Sequence, residues 1–154
     1  MTLVFKVDEI QDGAEIPTKY TCDGENTSPR ISIAGIPGGT RSLSILVEDP
    51  DAPVGLFVHW VLFNLPPSTT EIKSGMDRSR RMPDGTEQGK NDFGRIGYDG
   101  PCPPKGHGYH RYYFKLYALN STISLSGTPV RQDLLKRMEG KIIETAETMG
   151  RYRR

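Results

Sequence analysis

The sequence predicts a mainly β protein in which two packed antiparallel sheets form a sandwich, with a few short peripheral helices that lie chiefly at the C-terminus. The chain of 154 residues contains 17 glycines and 12 prolines, and both residue types are unfavourable inside long helices. At least four segments have the composition of strands, whereas helical spacing is confined to the end of the chain. This order favours sheets packed on each other over a repeated βαβ arrangement.

Strand-like segments can be placed in chain order. Residues 2–7 form a plausible first strand, and residues 42–48 form a second that we expect to end at Asp49-Pro50, because proline lacks an N–H donor and restricts its predecessor. Residues 57–65 are apolar on both faces, which is typical of a central strand. Residues 111–119 alternate, which predicts one apolar face and one wetter face.

The remaining segments predict a loop and helices. Residues 73–97 are rich in glycine and poor in large apolar side chains, and we expect this long loop to border the functional site. Thr128 and Pro129 resemble the start of a helix, with threonine as N-cap and proline at the first helical position. Apolar residues continue at helical spacing after Gly140, so a second helix or a kinked extension is expected over residues 142–149.

Length and charge limit the classes of function. A chain of 154 residues suits one domain with a single core, so residues 1–154 are expected to form one unit. The net charge of +1 creates no field that would attract nucleic acid or anionic lipid, and no apolar run approaches membrane-spanning length. We therefore expect no nucleic-acid partner, no membrane insertion and, in the absence of a signal-like N-terminus, a cytoplasmic location.

The two cysteines, Cys22 and Cys102, lie too far apart in the sequence for the paired spacing of a zinc site, so no structural metal is expected. Reduced thiols are the favoured interpretation because a cytoplasmic location keeps cysteines reduced. A disulfide between them is the alternative.

Two short motifs carry most of the chemical specificity. Asp-Pro-Asp-Ala-Pro at residues 49–53 is followed by His59, and Gly-Pro-Cys-Pro-Pro-Lys-Gly at residues 100–106 is followed by His110 and Tyr112. Each motif places a proline-stiffened loop beside a strand that bears one histidine. If the two strands are neighbours, two imidazoles and a carboxylate meet in one rigid pocket, which is a site for a small anion.

Each group has a plausible role in such a pocket. His59 and His110 can donate hydrogen bonds to a phosphate oxygen, and Tyr112 can add a hydroxyl donor. Asp49 would orient one imidazole by accepting its other ring proton. Structural interpretations stay open for each residue taken alone: His59 as a core histidine, Asp49 and Asp51 as turn residues, and the prolines as turn formers. The joint pattern favours the pocket, and His107 is interpreted as an exposed loop residue.

The motifs resemble those of the phosphatidylethanolamine-binding protein family, in its bacterial and archaeal branch of Raf kinase inhibitor-like proteins. The resemblance extends to Thr-Cys-Asp-Gly-Glu-Asn-x-Ser-Pro at residues 21–29, Asn-Asp-Phe-Gly at 91–94, Gly-Tyr at 97–98 and Gly-Arg-Tyr at 150–152. It implies a sandwich fold and a pocket for phosphate, phosphoryl headgroups or similar oxyanions. The ligand-binding residues expected on this basis are Asp49, Asp51, Ala52, Pro53, His59, Cys102, Pro103, Pro104, His110 and Tyr112.

These observations favour a non-catalytic binding protein that needs no cofactor and no metal. Its expected ligand is a small anion, and a protein partner such as a protease is also expected. The oligomeric state is either a monomer or a homodimer. The alternative is an inhibitor of a serine protease or of a kinase pathway that acts through surface loops, roles that family members have. A hydrolase using the histidine and aspartate pair is least favoured, because the sequence contains no GxSxG, HExxH or Walker motif.

Overall fold

The computed structural model describes residues 2–154, and these fold into nine strands, one α-helix and one short 3₁₀ turn. The elements in chain order are β1 Val4–Val7, β2 Ala14–Glu15, the 3₁₀ turn Thr18–Tyr20, β3 Ile31–Ala34, β4 Ser42–Ala52, β5 Gly55–Leu65, β6 Glu71–Ile72, β7 Glu87–Gln88, β8 His110–Leu119, α1 Arg131–Met138 and β9 Ile142–Tyr152.

The strands form two sheets, as the sequence predicts. A six-stranded sheet has the order β2-β9-β8-β4-β5-β7, and a three-stranded sheet has the order β1-β3-β6. All neighbouring strands are antiparallel except β2 and β9, which pair in parallel through Ala14 with Gly150 and Glu15 with Arg151. The mainly β sandwich is therefore confirmed, with one short parallel pair in the larger sheet.

The larger sheet is covered on both faces. On one face, side chains such as Phe5, Ile31 and Trp60 join the core between the two sheets. On the other face, α1 packs through Leu134 and Met138, which are fully buried. Complete burial of one large apolar side chain contributes roughly 1.5–3 kcal/mol, so this two-sided coverage stabilises the central strands most. The prediction of a central strand at residues 57–65 is confirmed.

Strand β4 is longer than expected. The sequence predicts an end at Asp49-Pro50, but the strand continues to Ala52, which pairs with Gly55 of β5. Pairing of β4 with β8 ends at Glu48, and the register with β5 shifts between Asp49 and Ala52. Proline is tolerated at such an irregular position because no regular ladder bond depends on its missing N–H. The first motif is therefore part of a hairpin.

The predicted second helix is wrong. Residues 142–149 belong to β9, which pairs with β8 along its whole length, from Ile142 with Leu119 to Tyr152 with His110. Apolar residues at helical spacing are present, but the long-range pairing satisfies the backbone, and the β-branched residues of this segment favour a strand. Gly150 has a packing role, because a Cβ there would lie 2.7 Å from Ile10 Cγ2.

The helix α1 begins later than predicted. Its N-cap is Val130, and the Asp133 carboxylate accepts a hydrogen bond of 2.9 Å from the Val130 N–H. Pro129 lies outside the helix, and its carbonyl accepts the Lys90 N–H at 2.8 Å. The residues expected to start the helix instead attach it to the segment after β7.

The expectation of reduced thiols is wrong, because Cys22 and Cys102 form a disulfide with a Cα–Cα distance of 5.4 Å. The two segments already run side by side, and the Cys22 N–H donates to the Pro101 carbonyl at 3.1 Å. The reduced-thiol expectation followed from the predicted cytoplasmic location, which itself stays a prediction. A sequence separation of 80 residues gives no local signal for this contact.

No helix among residues 2–154 has the length and apolar character needed to cross a membrane.

The disulfide predicts a stability that depends on oxidation. It closes a loop of 80 residues, and a cross-link of this span is expected to contribute up to roughly 4 kcal/mol by restricting the unfolded chain. Urea unfolding with and without dithiothreitol should therefore show a lower midpoint in the reduced protein. The Cys22→Ser, Cys102→Ser double variant should unfold at the lower midpoint under both conditions. Two reactive thiols in denatured, non-reduced protein would contradict the disulfide.

Candidate functional site

A cavity of about 220 Å³ opens at the end of the larger sheet where β4 ends and β5 and β8 begin. Strand β4 and the hairpin turn after it form one wall, the loop before β8 forms a second, and the segment after β7 adds an aromatic side chain. The lining residues are Asp49, Ala52, Pro53, Val54, Phe57, His59, Phe93, Cys102, Pro103, Pro104, His110 and Tyr112.

Both sequence motifs therefore reach one cavity, and of the ten residues expected to bind a ligand only Asp51 does not line it. The Asp51 carboxylate instead binds the Arg111 guanidinium, with Oδ1 to Nη2 at 2.8 Å and Oδ2 to Nε at 2.9 Å. Hydrogen bonding from Arg111 lowers the pKa of Asp51 to about 2. This pair joins the first motif to β8 and neutralises the charge of Arg111, which therefore adds little positive field to the cavity.

His59 is held by a backbone carbonyl. Its Nδ1 lies 2.6 Å from the Asp99 carbonyl oxygen, and a carbonyl can only accept, so Nδ1 carries the proton. The side chain is buried, and burial lowers its pKa, outweighing the opposing effect of the Asp99 carbonyl. The ring is therefore neutral at pH 7, with Nε2 unprotonated.

Asp99 is a buried residue that the sequence analysis missed. Its carboxylate accepts hydrogen bonds from Arg78 Nη2 at 2.9 Å, Asn91 Nδ2 at 2.8 Å and Asn26 Nδ2 at 2.9 Å, and it also pairs with Arg95. Burial opposes ionisation, but hydrogen bonds from Arg78 and Asn91 keep the pKa of Asp99 below its usual value. The network fixes the Asp99 backbone, and with it the acceptor of His59.

His110 is held by a carboxylate, as the sequence predicts. Its Nδ1 lies 2.7 Å from Asp49 Oδ2, and both residues are buried. The second carboxylate oxygen of Asp49 accepts the Asp51 N–H at 2.7 Å. The Asp49 carboxylate therefore orients the His110 ring and anchors the first motif in the same position.

His107 is an exposed loop residue outside the cavity lining, as the sequence predicts, and its ring also contacts His110. Its Nδ1 is hydrogen-bonded to His110 Nε2, and the two ring centroids are 4.7 Å apart. His107 itself is exposed, so it lies at the rim outside the cavity lining. Asp49, His110 and His107 thus form a chain that runs from the buried floor to the surface.

Tyr112 lies between the two pocket histidines. Its ring contacts the edge of His59 at a centroid distance of 5.3 Å and stacks near His110 at 6.4 Å. Burial, followed by the negative charge of Asp49, raises the pKa of Tyr112 well above its usual value. The hydroxyl is therefore protonated at neutral pH.

An apolar rim, which the motifs did not indicate, is formed by Val54, Phe57 and Phe93. Phe57 and Phe93 meet edge to face at 4.8 Å, and Phe93 also contacts His59 at 5.6 Å. Two signals could have found them: Phe57 precedes His59 by two positions, so it lies on the same strand face, and Phe93 belongs to the loop expected to border the site.

The second wall is fixed by groups outside the cavity. Arg154 Nε donates to the Pro103 carbonyl at 2.8 Å, and the Gly106 N–H donates to the Arg154 carbonyl at 3.0 Å. Cys102 is tied by its disulfide to Cys22. The wall is therefore ordered by its surroundings, and little conformational entropy remains to be lost on ligand binding.

No cluster of three or more histidine, cysteine, aspartate or glutamate side chains suited to a metal ion occurs within residues 2–154. The expectation that the protein needs no metal or cofactor stays a prediction.

Comparison with known proteins identifies relatives of one family. The family description "Phosphatidylethanolamine-binding protein" matches residues 6–153. The UPF0098 protein of Methanothermobacter thermautotrophicus is 46% identical over 150 residues, covering 97% of this chain and 98% of that protein. The UPF0098 protein PH1269 of Pyrococcus horikoshii is 49% identical over 141 residues, covering 90% and 71%.

Solved structures agree. E. coli YbcL, described as a new member of the mammalian PEBP family, has a TM-score of 0.90 at 33% identity and covers 100% of this chain and 99% of its own. A PEBP homologue from Chlamydia trachomatis has a TM-score of 0.90 at 37% identity, covering 99% and 98%. Carboxypeptidase Y inhibitor, solved with its cognate proteinase, shares the fold at a TM-score of 0.62 and 17% identity, covering 99% and 82%.

The buried, neutral His59 predicts a loss of stability below pH 6.5. The unfolded chain gains a proton at His59 near 6.5, whereas burial lowers the pKa in the folded protein. The unfolded state then binds more protons as the pH falls, so the free energy of unfolding decreases by up to about 1.4 kcal/mol per pH unit. Urea unfolding between pH 7 and pH 5 should show this slope, and a smaller one in His59→Gln.

The lowered pKa of Asp51 does not interfere in that range, because its stabilising effect is lost only as the pH falls below 3.8 towards about 2. Equal slopes for the wild-type protein and His59→Gln would contradict the neutral state of His59.

Proposed function

The chain belongs to the phosphatidylethanolamine-binding protein family, and from this premise we propose that it is a non-catalytic binding protein whose cavity holds a small oxyanion such as phosphate or a phosphoryl headgroup. One observation carries the proposal: two buried histidines from separate motifs line the same cavity, and each has its Nδ1 fixed by an internal acceptor. The Nε2 atom of His59 is thus available to a ligand, and that of His110 contacts the exposed His107.

The surroundings support binding of a small group. Pro53, Pro103 and Pro104 present rigid rings without N–H donors, and the apolar rim shields the polar floor from water. Hydrogen bonds in such a water-poor site are stronger than the same bonds in bulk solvent. A cavity of about 220 Å³ has room for a phosphoryl group with a short substituent.

Binding without turnover is supported by the composition of the lining. It contains no serine, threonine or lysine, and Cys102 is in a disulfide, so no thiolate is present there. His110 and Asp49 form a pair suited to acid–base chemistry, but the lining offers no serine or threonine hydroxyl and no free thiol for them to activate. A hydrolase is therefore the weaker proposal for this site.

The binding proposal predicts a division between two neighbouring aspartates. Asp49 contacts His110 inside the cavity, whereas Asp51 faces Arg111 outside it. Calorimetry at pH 7 with phosphate and with phosphorylethanolamine should show binding to the wild-type protein. Asp49→Asn, His59→Ala and His110→Ala should each weaken it by about tenfold or more, since each removes a buried polar partner. Asp51→Asn is the matched control and should retain binding.

Circular dichroism and urea unfolding establish that each variant is folded before its affinity is compared. Wild-type protein that binds neither phosphate nor phosphorylethanolamine would overturn the proposal. Unchanged affinity in both folded histidine variants would also overturn it, because the ligand would then lie elsewhere.

A second candidate function is inhibition of a protease through the surface around the cavity. It is favoured by the exposed apolar side chains Val54 and Phe93, which line the cavity, and by the fold shared with carboxypeptidase Y inhibitor, which was solved in complex with its cognate proteinase. Stoichiometric inhibition in a panel of serine proteases is the expected result. If it persists in His59→Ala and disappears in Val54→Asp, the surface rather than the cavity is responsible. If none of the proteases in the panel is inhibited, protease inhibition is excluded as the function.

A further inference from the structure

We propose that the cavity selects oxyanions that carry a proton, so that it takes the monoprotonated form of phosphate or of a phosphate monoester in preference to sulfate or a phosphodiester. The inference rests on the proposed oxyanion site and deepens it by naming the ligand class. It follows from the direction of every hydrogen bond that the polar side chains of the lining make.

His59 presents an acceptor to the cavity. Its single proton is committed to the Asp99 carbonyl, so the lone pair of Nε2 is the group that remains. Nε2 has no hydrogen-bond partner among the described residues, although His59 is only 3% exposed. His59 lines the cavity, so a ligand O–H there could donate to this lone pair.

His110 presents no additional donor while its neighbours are in place. Nδ1 donates to the Asp49 carboxylate, which only accepts, so the Nε2 lone pair accepts from His107 Nδ1. That proton belongs to His107, and displacing this exposed ring would leave a second lone pair towards the cavity. The two histidine rings therefore present acceptors to a ligand.

The Asp49 carboxylate in the floor only accepts hydrogen bonds. Its two oxygens accept from His110 Nδ1 and from the Asp51 N–H. The Tyr112 hydroxyl can donate or accept. A fully deprotonated anion would bring its oxygens against these lone pairs, whereas an anion with an O–H can donate to one of them.

The charge around the cavity favours a ligand of low negative charge. No lysine or arginine lines it, and Asp49 is a carboxylate in its floor. The charged groups that face His59 from neighbouring segments are Asp49, Asp92 and Asp99, and the nearby cations Arg78, Arg95 and Arg111 are paired with Asp99 and Asp51. His110 faces Asp49, His107 and Tyr112. An unprotonated ligand oxygen against these groups would meet net negative charge, whereas an oxygen that carries a proton would not.

Ligand chemistry matches this requirement. Phosphate monoesters have a second pKa of about 6, so a fraction retains one proton at neutral pH, whereas sulfate and phosphodiesters retain none. A phosphate that carries a proton can donate its O–H to His59 Nε2. His110 Nε2 is an acceptor of the same kind and stays satisfied as long as His107 donates to it.

The test compares oxyanions of matched shape by calorimetry. At pH 7, we expect the wild-type protein to bind phosphate about tenfold or more tightly than sulfate, since each mismatched acceptor pair leaves a buried group unsatisfied. Phosphorylethanolamine, a monoester, should likewise exceed glycerophosphorylethanolamine, a diester. Between pH 6 and pH 8 the affinity for the monoester should fall as the monoprotonated fraction falls.

A variant tests whether His59 is the selecting group. The amide of His59→Gln can donate as well as accept, so sulfate affinity should rise relative to phosphate affinity. Asp12→Asn, at an exposed carboxylate outside the cavity lining, should keep the wild-type ratio. The inference would be wrong if the wild-type protein bound sulfate as tightly as phosphate. It would also be wrong if the affinity for the monoester did not change between pH 6 and pH 8. Either result would still be consistent with the proposed oxyanion site. Wild-type protein that binds no oxyanion at all would overturn both.

Discussion

The buried carboxylate of Asp99 is the constraint on which the rest of the site depends. It is 1% exposed and gathers donors from four separate positions, Asn26, Arg78, Asn91 and Arg95. Burying one charge without such partners costs several kcal/mol, so the surrounding loops are held to the positions that satisfy it. Loops that carry few large apolar residues are thus ordered by electrostatics rather than by a core of their own.

The same residue connects this network to the cavity through its backbone. The side chain of Asp99 fixes the peptide, and the carbonyl of that peptide fixes the ring and the tautomer of His59. Asp49 has the equivalent role for His110, with its side chain acting directly on the ring. The two histidines are thus oriented by a carbonyl in one case and a carboxylate in the other, which gives two rings of the same type different surroundings in one cavity.

The site is assembled from parts that are rigid for independent reasons. Prolines stiffen both motifs, the disulfide holds Cys102, and Arg154 binds the Pro103 carbonyl. Asp51, expected to contact the ligand, instead clamps the first motif to β8 through Arg111. The motif residues are therefore of two kinds, those that face the cavity and those that keep it in shape, and residue type alone does not separate them.

The sequence by itself determined the mainly β architecture and the positions of four strands, because alternation, proline positions and turn residues are local signals. It also identified the two histidine motifs, but their meeting in one cavity depends on the pairing of distant strands. It misassigned residues 142–149, where helical spacing was overridden by pairing with β8. It favoured reduced thiols over the disulfide, and it did not reveal the role of Asp99. Only the tertiary structure decided these points. The acceptors of His59 and His110 lie 40 and 61 residues away along the chain, and no local pattern specifies which distant group will meet a ring nitrogen.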